Sequence, residues 1–383
     1  MGFSSYDTPY DWSRLAPLKA MAAAYPGGMA DLSVGSPVDS VPDRIRHALA
    51  EASDAHGYPR TLGSPRLRTA IADWLLNCRG VDVREVDADL LPTVGSKEAV
   101  ALMASLLRLG PGDVVVQPRV SYPTYEIGTQ LAGAHVLKVD DVCDVSSWRD
   151  VPGVRAIWVN SPCNPTGEVV SAARLASLVA EARRLGAVVL SDECYALLAW
   201  DGAAPCVLDP AVCASDAKGV IMLYSLSKQS NLAGYRAAFM AGDRKILERM
   251  ADYRRQIGQI VPAPVQGAMT EALRDVDDVD VQRARYRGRL ARLVEALREA
   301  GYAAGMPQGG LYVWVRAVTG DCWRDMETLA ARGVVASPGE FYGDRKSLRF
   351  TATASDESVD LACARLSSFA GEFPGAAEVI DQA

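Results

Sequence analysis

Between Leu90 and Tyr224, short runs rich in Val, Ile and Leu take turns with segments whose apolar residues recur every three or four positions. This rhythm predicts strands at Leu90 to Val94, Asp113 to Gln117, Ala134 to Val139, Ala156 to Asn160, Ala187 to Ser191 and Gly219 to Tyr224. It predicts helices at Lys97 to Leu109, Tyr122 to Leu131 and Ala172 to Leu185. Several of the strands are apolar on both faces, as parallel strands buried under helices are. The alternation therefore restricts the chain to an α/β fold whose central sheet is covered on both sides.

After about Asp275 the pattern changes to a long Arg-rich helix from Asp278 to Ala300, a strand at Leu311 to Arg316, a helix near Trp323 to Arg332 and a final strand and helix. We read residues 41–274 as a large domain and 275–383 as a smaller one. Residues 1–40 contain four prolines and several glycines, too many breakers for a central element. They read as an N-terminal arm joined to a loop, contributing in part to the small domain.

Composition removes several function classes. The 383 residues carry 40 Lys and Arg against 47 Asp and Glu, a net charge of −7, which argues against nucleic acid or an anionic membrane as a partner. The longest stretch free of Asp, Glu, Lys and Arg, Ala300 to Val315, is broken by Pro307 and four glycines and cannot span a bilayer. Met1 to Asp7 has neither a basic nor an apolar signal region, so a cytoplasmic location is expected. The 8 cysteines are scattered and suit free thiols, and His47, His56 and His135 show no metal-ligand spacing.

The most informative segment is Tyr224-Ser-Leu-Ser-Lys-Gln-Ser-Asn-Leu-Ala-Gly-Tyr-Arg236. Most lysines are solvated, and a loop lysine is the plain reading of Lys228. A lysine directly after a buried strand, among hydroxyls and small residues, also suits a Schiff-base role, with Ser225, Ser227 and Arg236 placed for a phosphate. Asn160-Ser-Pro-Cys-Asn-Pro-Thr-Gly167 and Ser191-Asp-Glu-Cys-Tyr195 follow strands in the same way. Gly95-Ser-Lys-Glu98 opens a helix, where free backbone N–H groups attract an anion.

These segments, in this order and at these intervals, resemble the class I/II aminotransferases, pyridoxal-phosphate enzymes of fold type I. The resemblance runs from Val34-Gly-Ser-Pro37 to Arg349 and implies a mostly parallel seven-stranded sheet in the large domain. It implies pyridoxal 5'-phosphate as cofactor, with Lys228 as its covalent anchor and proton shuttle. Asp192 would keep the ring nitrogen protonated, and Asn164 and Tyr195 would hydrogen-bond the phenolic oxygen. Gly95, Ser96, Lys97, Ser225, Ser227 and Arg236 would cradle the phosphate, while Tyr122 would stack on the ring. Arg349 would clamp the substrate carboxylate, helped by Asn164 and by Gly35, whose backbone approaches too closely for a Cβ. Tyr58 would reach the phosphate of a neighbouring subunit, which makes the enzyme a homodimer with shared active sites.

Within the family, Asp31-Leu-Ser-Val-Gly-Ser-Pro-Val38, the Lys228 segment and Val261-Pro-Ala-Pro-Val-Gln266 are similar to actinobacterial N-succinyldiaminopimelate aminotransferases. That likeness implies a ping-pong exchange with glutamate and 2-oxoglutarate in lysine and diaminopimelate biosynthesis. Arg60 and Arg254 or Arg255 are the cations expected near the distal end of such a substrate. Aminotransferases for aspartate, aromatic amino acids or alanine, and C–S lyases of the same fold, share the cofactor residues. A transcription regulator would need a helix-turn-helix region, for which Met1 to Tyr25 is too short.

Overall fold

The computed structural model describes residues 10–369. The segment Met1 to Asp7 read above lies outside them. Twelve strands occur in the described residues: β1 (Ala30–Asp31), β2 (Ala88–Val94), β3 (Val114–Pro118), β4 (His135–Val139), β5 (Val154–Asn160), β6 (Val188–Asp192), β7 (Val220–Ser225), β8 (Ala237–Asp243), β9 (Tyr312–Arg316), β10 (Val334–Val335), β11 (Ser337–Pro338) and β12 (Ser347–Thr351). Seven of them form one sheet in the order β2-β8-β7-β6-β5-β3-β4. All its neighbouring pairs are parallel except the two made by β8, which runs antiparallel to both β2 and β7.

Alternation along the strands shows why they read as continuously apolar. In β7, Val220, Met222 and Tyr224 enter one core while Ile221 and Leu223 enter the core on the opposite face. Both faces are buried, so every side chain of the strand gains from leaving water. The periodicity does not predict β8. Its sequence, Ala-Ala-Phe-Met-Ala-Gly-Asp, is short of β-branched residues, and tertiary pairing on both edges supplies what local propensity lacks.

A three-stranded antiparallel sheet, β11-β12-β9, lies in a separate hydrophobic core with the helices Asp277–Glu299, Cys322–Ala330 and Asp356–Leu366. Three aspartates, Asp277, Asp278 and Asp280, occupy the first turn of the long helix, where the N-terminal dipole favours negative charge.

The N-terminal arm corrects the sequence reading. Trp12–Leu15 forms a 3-10 turn and Ala16–Ala23 an α-helix whose Leu18 and Ala22 are buried against the C-terminal core. Pro17 lies in the first turn, where its missing N–H breaks no helical bond, so the proline taken as a breaker is compatible with a helix start. No helix among the described residues is long and apolar enough to cross a membrane. All eight cysteines are unpaired, and no cluster of His, Cys, Asp and Glu able to hold a metal occurs among the described residues.

Candidate active site

The carboxyl ends of β5, β6 and β7 deliver Asn160, Asp192 and Ser225 to one cleft of about 280 Å³. The loop Gly95 follows β2 into the same region. Open α/β sheets bind ligands at these strand ends, where the chain leaves the sheet and side chains are free to converge.

Asp192 is buried at the floor of the cleft. Its Oδ2 accepts a hydrogen bond of 2.7 Å from the Tyr125 hydroxyl, and its Oδ1 accepts one of 3.2 Å from the Cys194 amide. Both partners are neutral. Burial pushes the carboxyl above its ordinary range, and the Cys194 thiol, the Tyr125 hydroxyl and the Cys194 amide offset only part of that shift. Tyr125 is itself fixed by stacking on Trp158, with centroids 4.5 Å apart. The resemblance points to Tyr122, three residues earlier, and not to Tyr125; Tyr122 lines the cleft and meets Tyr125 edge to face.

Asn160 locks the loop that follows β5. Its Nδ2 donates to Asp192 O at 2.7 Å and to Pro162 O at 3.1 Å, while its Oδ1 accepts from the Asn164 amide at 2.7 Å. Asn164 is thereby held with its own Oδ1 accepting a 2.9 Å bond from Arg349 Nη1. Arg349 Nη2 donates to Ser33 O at 3.1 Å, and the guanidinium lies over the rings of Tyr312 and Tyr342, 4.0 and 4.4 Å from their centroids. The Tyr195 hydroxyl bonds that of Tyr312 at 3.0 Å. Gly35 passes so close to Tyr312 that a Cβ there would run into its ring and hydroxyl.

The opposite end gathers anion-binding groups. Ser96 starts the helix Ser96–Leu106, and Ser225 and Ser227 share a 2.9 Å hydroxyl contact. Arg236, in the left-handed conformation at φ 55°, presses against Gly95, where a side chain would collide with the guanidinium. Gly95 has φ 77° and needs its freedom for both reasons. Lys97 lines the same cleft, 5.7 Å from the Tyr10 ring centroid.

Between the two ends, the Lys228 amine donates to Gly35 O. Burial, reinforced by Arg349 and Arg236, lowers its pKa to about 8. The thiol of Cys194 shares the cleft, but burial and the Asp192 carboxylate push it well above its ordinary value, which leaves it a neutral wall.

The cleft thus unites Gly35, Ser96, Lys97, Tyr122, Asn164, Asp192, Tyr195, Ser225, Ser227, Lys228, Arg236 and Arg349. Tyr58 is absent from it: the residue is fully exposed and lines a separate groove with Arg60 and Arg255. Arg254 corrects the expectation of a distal substrate contact. It is fully buried and gives both terminal nitrogens to Glu98, at 2.7 and 3.0 Å, so it braces the Ser96–Leu106 helix. Tyr10, Trp12, Tyr312 and Tyr342 also line the cleft and were not singled out from the sequence. Only Tyr312 left a signal, as part of the expected strand at Leu311 to Arg316.

A buried carboxylate with neutral partners, an amine of lowered pKa and a Gly-lined cradle of hydroxyls and a guanidinium fit a phosphorylated aromatic aldehyde whose ring nitrogen is protonated. Residues 27–366 match the family of aminotransferase class I and II, and the chain belongs to it. Its cofactor is pyridoxal 5'-phosphate, and its fold is the type I fold of that family. The chain is 43% identical over 360 residues to the 4-dedimethylamino-4-oxo-anhydrotetracycline transaminase OxyQ of Streptomyces rimosus, spanning 93% of this chain and 98% of the relative. It is also 43% identical over 368 residues to the probable aminotransferase Rv1178 of Mycobacterium tuberculosis, spanning 95% and 86%. Among solved structures, a probable N-succinyldiaminopimelate aminotransferase from Thermus thermophilus superposes with a TM-score of 0.82 at 27% identity, covering 93% of this chain and 99% of that one.

Proposed function

We propose that this transaminase exchanges amino groups between N-succinyl-LL-2,6-diaminopimelate and 2-oxoglutarate, as a homodimer with shared sites, in lysine and diaminopimelate biosynthesis. The observation that carries the amino-acid part of the reading is Arg349, a buried cation that lies over the rings of Tyr312 and Tyr342 and is oriented by Asn164. A planar guanidinium so fixed suits bidentate binding of an α-carboxylate.

When bound, pyridoxal phosphate supplies a carbonyl carbon that takes up the amino group and a ring that draws electrons from the substrate Cα. Ser96, Ser225, Ser227, Arg236 and the helix start at Gly95 hold its phosphate. Lys97 adds positive charge there, and Tyr122 covers a ring face. Asp192 keeps a proton on the ring nitrogen, and Tyr125 keeps Asp192 in place. Asn164 and Tyr195 donate to the phenolic oxygen, Asn164 through the Nδ2 left over from its bond to Arg349. Lys228 would anchor the cofactor and, as a free amine, would carry the proton between the substrate Cα and the cofactor carbon that takes up the amino group. Gly35 leaves room beside it for the carboxylate.

The proposed large unit, 41–274, supplies most of these groups, and Gly35 of the arm with Tyr312, Tyr342 and Arg349 of the smaller unit complete the cleft. A panel of amino donors tests the substrate. N-succinyl-LL-2,6-diaminopimelate should exceed aspartate, phenylalanine and alanine in kcat/KM by at least about tenfold, which one or two charge-assisted hydrogen bonds supply. A bulky polycyclic ketone is a second reading. It is favoured by the aromatic lining of Tyr10, Trp12, Tyr312 and Tyr342 and by the name of the Streptomyces rimosus relative. Preference for such a ketone over 2-oxo acids would overturn the first reading and leave the transaminase standing.

A further inference from the structure

The helix Asp277–Glu299 carries a stripe of polar groups on its buried side. Gln282, Arg285, Tyr286 and Arg289 fall on one face by their three- and four-residue spacing, and Gln282, Tyr286 and Arg289 are buried. An arginine on a long charged helix ordinarily points to water. Arg289 is instead 1% exposed. A guanidinium taken out of water is tolerated only when its donors are paired. Arg289 meets that condition: Nη1 and Nη2 donate to the two oxygens of Asp39, each at 2.8 Å, and Nε and Nη2 donate to Asp356 at 3.1 and 2.9 Å.

What the stripe holds is more telling than how it is paired. Asp39 also accepts a 2.8 Å bond from Gln282 and lies on the loop whose carbonyls face the site: Ser33 O accepts from Arg349, and Gly35 O from Lys228. Asn231, three residues after Lys228 and at φ 57°, donates to Ser40 O at 3.2 Å and to Gln282 Oε1 at 3.1 Å. Its Oδ1 accepts from the Tyr286 hydroxyl at 3.2 Å. One face of one helix therefore grips both the loop that bears Gly35 and the turn that follows the short helix Leu226–Gln229, which bears Lys228.

We infer that Arg289 and Asn231 are positioning residues for transamination, holding the Lys228 amine in register with the Gly35 loop and the Arg349 carboxylate clamp. The inference rests on the reading of Lys228 as the cofactor-bearing lysine. Well-packed apolar residues can replace a buried ion pair with little loss of stability. A stripe that only joined helix to loop could be apolar, whereas hydrogen bonds to Asp39, Ser40 and Asn231 fix directions as well as distances. Misplacement of a reacting group by about 1 Å costs roughly a hundredfold in rate.

Two variants of the whole enzyme loaded with cofactor test this. Asn231→Gly keeps the left-handed backbone and deletes the three side-chain bonds, and Arg289→Lys keeps the charge and deletes the paired geometry. Both should retain a full complement of cofactor, with KM for the amino donor raised about tenfold and kcat/KM lowered roughly a hundredfold. Arg289→Met should lose more than Arg289→Lys. If Arg289→Met fails to fold, Asn231→Gly carries the test, because it leaves Arg289, Asp39 and Asp356 paired. Parent-like kcat and KM in both Asn231→Gly and Arg289→Lys would overturn the inference, as would a loss of activity that merely tracks loss of bound cofactor or of folded protein. Borohydride reduction and peptide mapping separate the two readings. A label on another lysine sinks the assignment of Lys228, whereas a label on Lys228 with unchanged kinetics sinks only the positioning role.

Discussion

Asn164 Oδ1 accepts a 2.9 Å hydrogen bond from Nη1 of Arg349, 185 residues further along the chain. The bond ties the loop after β5 to β12, and so ties the floor of the cleft to the strand that carries the proposed carboxylate clamp. Neither residue can be judged alone: Asn164 orients Arg349, and Arg349 takes the Oδ1 of Asn164, which in the proposed site leaves Nδ2 for the cofactor.

Arg349→Lys removes the planar fork and keeps the charge. We expect kcat/KM for amino acids to fall roughly a hundredfold, the worth of about 3 kcal/mol of charge-assisted hydrogen bonding, with cofactor still bound. Amines without a carboxylate serve as the control, since they never use the fork. Equal losses on both kinds of substrate would show general damage to the site.

The pKa of Lys228, lowered to about 8, predicts how the cofactor-free enzyme takes up cofactor. Capture of an aldehyde needs the neutral amine. Its rate should climb about tenfold per pH unit below pH 8 and level off above it. The linkage has a definite sign. Between about 8 and the ordinary lysine value of 10.5, the unfolded chain binds a proton that the folded chain does not, so this group alone makes stability rise with pH across that window. Stopped-flow absorbance from about pH 6 to about pH 11.5 measures the first effect, and an inflection near the ordinary lysine value would refute the lowered pKa.

Asp192→Asn keeps the shape of the side chain and loses its charge. Without the carboxylate the ring nitrogen gives up its proton more readily, and turnover should fall by about 3 kcal/mol in the barrier, roughly a hundredfold. Reconstitution with a cofactor methylated on the ring nitrogen, which carries positive charge without a proton, should restore part of the loss in the variant. No recovery would mean that Asp192 acts in some other way.

Much of the proposed site was legible because most of its residues follow strands in short local segments, and the chemistry proposed for Lys228, Asp192 and Arg349 demands particular side chains. What was not legible depends on contacts distant in sequence. Tyr312 and Tyr342 matter only through the guanidinium they flank, and Tyr125 only through the carboxylate it reaches across the sheet. Arg254 looked like a free cation because its partner, Glu98, lies 156 residues away. The strand β8 lacked its own propensity and owes its form to two neighbours. The helix Ala16–Ala23 hid behind a proline whose effect depends on where in a helix it stands.

Tyr58 supplies the last prediction. It is fully exposed and lies outside the cleft of its own chain, beside the exposed side chain of Leu62. A large aromatic left in water at the tip of a loop is explained if a second copy covers it, and the proposed shared site gives it a phosphate to reach. Lys228→Ala chains should be inactive, and Tyr58→Ala chains weakened in cofactor retention. Mixed and allowed to exchange, they form hybrids in which the intact Lys228 of one chain meets the intact Tyr58 of the other. Each hybrid rebuilds one complete site, so the activity of the mixture at limiting cofactor should exceed that of its two components measured apart. Sedimentation of the parent enzyme should show a dimer. Activity of the mixture equal to the simple average of its components after complete exchange, or a fully active monomer, would rule out the shared site.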